Sequence, residues 1–127
     1  MYGFTTTLTG TTFDQALAKT IAALKAEGFG VLSDIDVQHA MKEKLGVDMP
    51  PYRILGACNP PLAHQALQAE DKIGTMLPCN VIVQERNGKT EVAAIDPVAS
   101  MQAVKNDALA SIANQVREEL KAAVNDL

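Results

Sequence analysis

Two cysteines carry most of the chemistry that this sequence can offer. Cys58 stands directly before a predicted helix, whose positive end would favour its thiolate form. A thiolate is a nucleophile and a soft-metal ligand, and Cys79 supplies a second sulfur. Three interpretations stay open from the residues alone: packed apolar side chains, a redox or reactive thiol pair, or a soft-metal site.

Four polar residues could complete a site together with these thiols. Asp96, which precedes a proline, could act as a general base or accept a ligand hydroxyl, although Asp-Pro also commonly ends a strand. Asn59 and Asn80 directly follow the two cysteines and can contact a ligand or cap local backbone. His64 lies in the first turns of the helix after the first cysteine, where it can reach the site or stay in solvent.

The spacing of these residues does not match a common metal or catalytic motif. Zinc sites usually contain closely spaced Cys pairs, whereas here the cysteines lie far apart and only His64 and Asp96 could complete the ligands. Two prolines remove backbone donors from the helix start and weaken an anion site there, and no glycine-rich phosphate loop occurs elsewhere. His39 with Ser33 or Ser100 lacks the context of a catalytic triad. The motifs therefore assign no catalytic residue, metal or cofactor.

The composition of the 127 residues is typical of one globular domain, which we expect to span residues 1–127. Apolar residues make up 47% of the chain and aromatic residues only 4%, so the core must be mainly aliphatic. A net charge of −4 provides no basic field for a phosphate backbone and argues against nucleic-acid partners. No apolar run could span a membrane and no secretion signal begins the chain, so we expect a cytoplasmic protein without membrane association.

Hydrophobic periodicity predicts the strands and helices that must position these residues. The strands are predicted at residues 2–8, 29–35, 52–58, 80–85 and 90–95. The helices are predicted at residues 13–27, 37–45, 60–70 and 106–123. Thr12 and Gln15 can form a capping box at the first helix, and Asp36 can cap the second. The pair Asn87 and Gly88 predicts a tight hairpin between the last two strands.

Three phrases of the sequence resemble the domain-of-unknown-function family numbered 302 (DUF302). They are YRILGACNP at 52–60, LPCNV at 77–81 and AIDP at 94–97, and the resemblance covers nearly the whole chain. It implies an α+β fold: a curved, mostly antiparallel sheet with helices on one face, in the order β-α-β-β-β-β-α of the TATA-binding protein's repeat. The two short middle helices are then insertions. The family has no established activity, and likeness to a DNA-binding fold does not imply DNA binding.

The implied topology brings the candidate residues to one rim of the sheet. If the third, fourth and fifth strands pair antiparallel, the third strand ends beside the start of the fourth strand. The fifth strand ends at the same place. The rim residues are then Cys58, Asn59, His64, Cys79, Asn80 and Asp96. We expect a small binding module that holds a polar small molecule or a soft metal there, with Cys58 and Cys79 as the metal ligands.

Two alternative functions stay open at this point. The first is a thiol-dependent redox protein or enzyme. The second is a structural or regulatory homodimer without a ligand, because small domains with one open sheet face often cover that face with a two-fold partner. We expect a homodimer, to which Met41, Met49 and Met76 could add adaptable contact surface unless they pack within the chain.

Overall fold

The computed structural model describes residues 2–127, in which helices cover one face of a five-stranded sheet. The strands are β1 (Gly3–Leu8), β2 (Gly30–Asp36), β3 (Tyr52–Cys58), β4 (Cys79–Arg86) and β5 (Lys89–Ile95). The helices are α1 (Phe13–Ala26), α2 (Val37–Leu45), α3 (Pro60–Ala69), α4 (Pro97–Ser100) and α5 (Asp107–Asn125), with a short 3₁₀ turn at Ile73–Met76. The α+β class expected from the sequence is confirmed.

All strands belong to one antiparallel sheet in the order β1-β5-β4-β3-β2. β4 and β5 join through Asn87 and Gly88, whose φ angles of 54° and 76° suit the predicted hairpin. β3 pairs with β4 although α3 lies between them in the chain, and Ala57 stands opposite Cys79. The sheet therefore places the end of β3, the start of β4 and the end of β5 at one edge.

The outer strand β2 contains a β-bulge. Val31 lies opposite Ala57 and Ser33 lies opposite Gly56, so Leu32 between them has no partner on β3. The extra residue shifts the alternation of side chains between the two faces by one position. As a result, Leu32 is 70% exposed at the edge of the sheet.

Capping side chains fix where the first two helices begin. The Thr12 hydroxyl accepts a hydrogen bond from the backbone N–H of Gln15, and the Gln15 side chain accepts one from the N–H of Thr12, both at 3.1 Å. The predicted capping box is therefore confirmed. Asp36 caps α2 as predicted, since its carboxylate accepts from the N–H of His39 at 3.0 Å.

The core lies between the helix-covered face of the sheet and helices α1 and α5. Alternate residues of β4 and β5 turn towards it: Cys79, Val81, Val83, Thr90, Val92 and Ala94. The buried residues of α5 include Leu109, Val116 and Leu120, whose spacing places them on one face of this helix. Among residues 2–127, no helix has both the length and the apolar character to cross a membrane.

Two segments differ from the sequence expectations. Asp96 caps the four-residue helix α4, which the sequence did not predict. The apolar side chains of α2 are covered only in part, because this helix packs against β3 at the margin of the sheet, where Val37, Ala40 and Met41 are half-buried. None of its nine residues is buried, and Leu45 at its end is 70% exposed.

Gly56 in β3 packs against the residue that leads into β4. A Cβ atom at this position would overlap Ser33 Oγ and lie 2.7 Å from Cγ of Pro78. Pro78, which follows Leu77 through a cis peptide bond, directly precedes Cys79. The chain before β4 therefore leaves no room for a side chain at position 56.

We expect Gly56→Ala to lower the free energy of unfolding by about 1 to 3 kcal/mol, because the added methyl group must displace Pro78. Gly30→Ala in β2 is the matched control, since no atom lies within 4 Å of a Cβ built there. Urea unfolding of both variants measures the effect. Equal stability of the two variants would contradict the close packing described for Gly56.

Candidate functional site

A cavity of about 300 Å³ opens at the end of the sheet where β3 ends and β4 begins. Helices α3 and α5 and the segment before β4 complete its walls. The wall is formed mostly by apolar side chains, among them Leu62, Ala66, Leu77, Met101, Ile112 and Val116. Within the described part of the chain, the polar side chains on this wall are Cys58, Asn59 and Cys79. The cavity is therefore an apolar space with a small polar group at one side.

Both thiols reach the cavity because β3 and β4 are antiparallel neighbours. Cys79 begins β4 opposite Ala57, and Cys58 follows Ala57 at the end of β3. Cys79 is buried, with 7% of its surface exposed, whereas Cys58 is half-buried. Both are free thiols. The structure thus brings the two sulfurs to the same cavity.

The protein environment holds both thiols in the protonated form. Burial raises the pKa of Cys79 to about 11, and the nearby Cys58 adds to this increase. Burial also raises the pKa of Cys58 above its ordinary value. The sequence suggested the opposite shift, from the helix that follows Cys58. Desolvation raises the pKa of both thiols, which opposes the activation expected from the helix.

Asn59 connects the cavity wall to two helices. Its side-chain oxygen accepts from the backbone N–H of Leu62 at 3.4 Å and so caps α3. Its amide nitrogen donates to Glu119 Oε2 on α5 at 2.9 Å. One amide hydrogen of Asn59 is not used by these two bonds. Within the described part of the chain, Asn59 is therefore an amide side chain on the cavity wall whose position two hydrogen bonds fix.

Asp96 lies at the same end of the sheet but does not line the cavity. Its carboxylate accepts from the N–H of Val98 at 3.0 Å, which caps α4, and from Arg117 Nε at 3.2 Å. The Arg117 guanidinium also lies over the ring of Phe4, 5.4 Å from its centroid. These partners hold Asp96 in a structural role, and its neighbour Pro97 lines the cavity instead.

Two of the other predicted rim residues point elsewhere. Asn80 is exposed and lines a depression on the opposite face of the sheet, because neighbouring residues of a strand alternate between faces. His64 is exposed on the outer side of α3 and does not line the cavity. Of the six residues expected at the rim, the structure brings together Cys58, Asn59 and Cys79.

The apolar wall carries no motif that the sequence could reveal. Ile112 and Val116 belong to the apolar stripe of α5, which the sequence identifies only as core. Leu77 and Met101 lie in segments without periodicity. Such residues become recognisable as a cavity wall only when the packing of the helices around a common space is known.

The acidic, histidine and cysteine side chains of residues 2–127 form no group of three or more that could hold a metal ion. A soft-metal site would therefore depend on the two thiols alone. Metal binding would also have to displace the proton of Cys79, whose raised pKa makes that step costly near neutral pH.

Comparison with known proteins places the chain among uncharacterised relatives. Residues 4–127 match the family model described as "Domain of unknown function DUF302". The crystal structure of an uncharacterized conserved DUF302 protein from Bacillus stearothermophilus aligns with a TM-score of 0.90 and 31% sequence identity. The alignment covers 98% of this chain and 97% of that chain. No curated protein matches the chain. The family resemblance of the sequence is confirmed, and the descriptions of these relatives state no activity.

We expect the free energy of unfolding to fall as the pH rises from 9 to 11. In Cys79→Ala we expect a smaller fall over the same pH range. Unfolding returns the thiol to its ordinary pKa of 9.0, whereas the folded protein keeps the proton up to about pH 11. The raised pKa contributes its full stabilisation below pH 9. About 2 to 3 kcal/mol of this stabilisation is lost as the pH rises to 11.

Urea unfolding of the wild type and Cys79→Ala across this pH range measures the difference between the two curves. The substitution also removes a buried sulfur, but that cost does not depend on pH. Parallel curves from pH 7 to pH 11 would show that the pKa of Cys79 is not raised.

Proposed function

This chain belongs to the DUF302 family, whose description states no activity, and from its cavity we propose that the protein binds a small, largely apolar molecule. The observation that carries the proposal is a cavity with an almost wholly apolar wall, to which Asn59 and two protonated thiols contribute at one side. Ligand sites are typically apolar clefts in which a few polar groups fix the orientation of the bound molecule. From the sequence alone we expected a polar ligand. The apolar wall instead favours a ligand that carries a single polar group.

The size of the cavity limits the ligand. About 300 Å³ lies at the lower end of the usual range for small-molecule sites. Leu62 and Ala66 on α3 face Ile112 and Val116 on α5 across this space, so an aliphatic or small aromatic body would replace water against apolar side chains. A charged ligand would lose its hydration without gaining an ionic partner on the wall.

The polar side of the cavity supports a carbonyl or hydroxyl group on the ligand. Asn59 is the residue on this wall whose side chain carries an amide, and its bonds to Leu62 and Glu119 hold that side chain in place next to the ligand. The protonated thiols of Cys58 and Cys79 offer weak, polarisable contacts next to it. This arrangement fits a reducing compartment such as the cytoplasm, where both thiols stay free.

We expect a panel of small amides, ketones and alcohols with short alkyl or phenyl groups to contain ligands that raise the melting temperature. At a concentration about 100 times Kd, a ligand would stabilise the protein by about 2.7 kcal/mol, or about 10 °C. Ala63→Leu should abolish this shift, because Ala63 lines the cavity and the larger side chain fills it.

The matched control is His64→Leu, the next residue on α3, whose side chain is exposed outside the cavity. It should keep the full ligand-induced shift. Cu(I) is included in the panel as a probe for the soft-metal alternative. The proposal is wrong if no organic compound stabilises the protein, or if Ala63→Leu responds as strongly as the control.

A thiol redox function is the second candidate, favoured by the position of both free thiols on one cavity at neighbouring strands. In this reaction the two thiols give two protons and two electrons to a low-molecular-weight disulfide. One S–S bond forms in the protein, and the small disulfide is released as two thiols. The raised pKa of both cysteines makes the reaction slow near neutral pH, because the thiolate is the attacking species.

Treatment of the folded protein with oxidised glutathione above pH 9 tests this second function. We expect the intact mass to decrease by two hydrogen atoms, and Cys58→Ser to prevent the decrease. A protein that keeps both thiols, or that gains only a mixed disulfide with glutathione, would exclude an internal dithiol couple.

A further inference from the structure

The face of the sheet opposite α1 and α5 is open to solvent over most of its width. A shallow depression of about 400 Å³ on this face is lined by strand residues together with Tyr2. Residues of β4 alternate between the two faces: Val81 and Val83 are buried against the helices, whereas Ile82 lies on the open face. The composition of this open face can therefore be determined from the strand register.

Four residues in register form an apolar row across the open face. Ile35 of β2 pairs with Ile54 of β3, and Ile54 pairs in turn with Ile82 of β4. Ile82 then pairs with Ala93 of β5. Since directly paired residues share a face, these side chains lie next to one another, and we call them the isoleucine row.

The isoleucine row is unusual for a sheet face in contact with water. In antiparallel sheets with one solvated face, the outward positions are normally polar. Here Ile35 is 50% exposed, and Ile54 and Ile82 are covered only in part. A continuous apolar surface of this kind is typical of a contact site between proteins.

Polar residues flank the isoleucine row on both sides. One flank contains Asn80, and the other contains Gln84, which donates a hydrogen bond to Glu91 at 2.8 Å. This bond already occupies part of the Glu91 carboxylate. Tyr2, at the margin, is 77% exposed, and Tyr is enriched in protein interfaces. The arrangement corresponds to an apolar interface centre with a polar rim.

We propose that the open face binds a second copy of this chain and forms a two-fold dimer in which the two isoleucine rows pack together. A two-fold interface uses the same patch on both copies, and an apolar row between polar flanks is complementary to itself. Two sheets pack face to face about 10 Å apart with interdigitated side chains, and the depression on this face leaves room for them.

The area of the face is sufficient for a dimer. Five strands about 4.8 Å apart, each with about six residues at 3.4 Å, give a footprint of about 500 Å² per copy. If the whole face is covered, two copies together would bury about 1,000 Å², which reaches the lower limit for a specific interface. The cavity lies on the helix side of the sheet, so the dimer and the proposed ligand site depend on different observations.

Light scattering after size exclusion, over a wide range of concentration, tests the dimer. We expect the wild type to have twice the mass of one chain. Ile82→Arg should weaken the dimer by about 30-fold or more, because it places an unpaired charge at the interface centre. Ile21→Arg is the matched control, since Ile21 is exposed on α1 on the other side of the sheet, and it should leave the dimer unchanged.

Ile35→Arg provides a second test with less risk to folding, because half of this side chain is already exposed. Circular dichroism and a melting curve confirm that each variant is folded. A wild type that is monomeric at every concentration would overturn the proposal. It would equally fail if folded Ile82→Arg and Ile35→Arg proteins dimerise like the wild type, or if Ile21→Arg dissociates the dimer.

Discussion

The antiparallel pairing of β3 with β4 is the constraint on which the rest of the structure depends. Ala57 opposite Cys79 brings the end of one strand beside the start of the other, although α3 and the 3₁₀ turn separate them in the chain. A parallel connection would carry the two cysteines to opposite ends of strands about 20 Å long. Because α3 must return the chain to the edge it left, it closes over that edge and leaves the cavity beneath it.

Local signals in the sequence are sufficient to predict most of the elements. The capping box at Thr12, the cap at Asp36 and the Asn87 hairpin each depend on a few neighbouring residues, and each is found as predicted. The order of strands within the sheet was implied by the family resemblance and not by periodicity. The sequence did not show that α2 packs at the margin of the sheet, because the predicted helix range does not reveal how much of the helix its neighbours cover.

The candidate site was only partly predictable, for reasons that differ from residue to residue. Asn80 follows Cys79 in β4 and lines the opposite face of the sheet, whereas Cys58 lines the cavity together with its neighbour Ala57 at the end of β3, so alternation along a strand does not by itself separate the two cases. The role of Asp96 depends on Arg117, which lies 21 positions away in the chain and approaches it only in the folded protein. The raised pKa of Cys79 comes from burial among side chains of several elements, which no local pattern encodes.

The bulge in β2 limits how molecules of this protein can associate. An outer strand offers unpaired backbone groups to strands of other molecules, and an apolar sheet face increases that risk. Here the extra residue Leu32 distorts the strand, and two carboxylates follow it, Asp34 and Asp36, at 2.9 and 3.6 Å from Arg53. The irregular, charged margin opposes edge-to-edge growth into filaments. Contact through the open face can therefore end in a closed assembly.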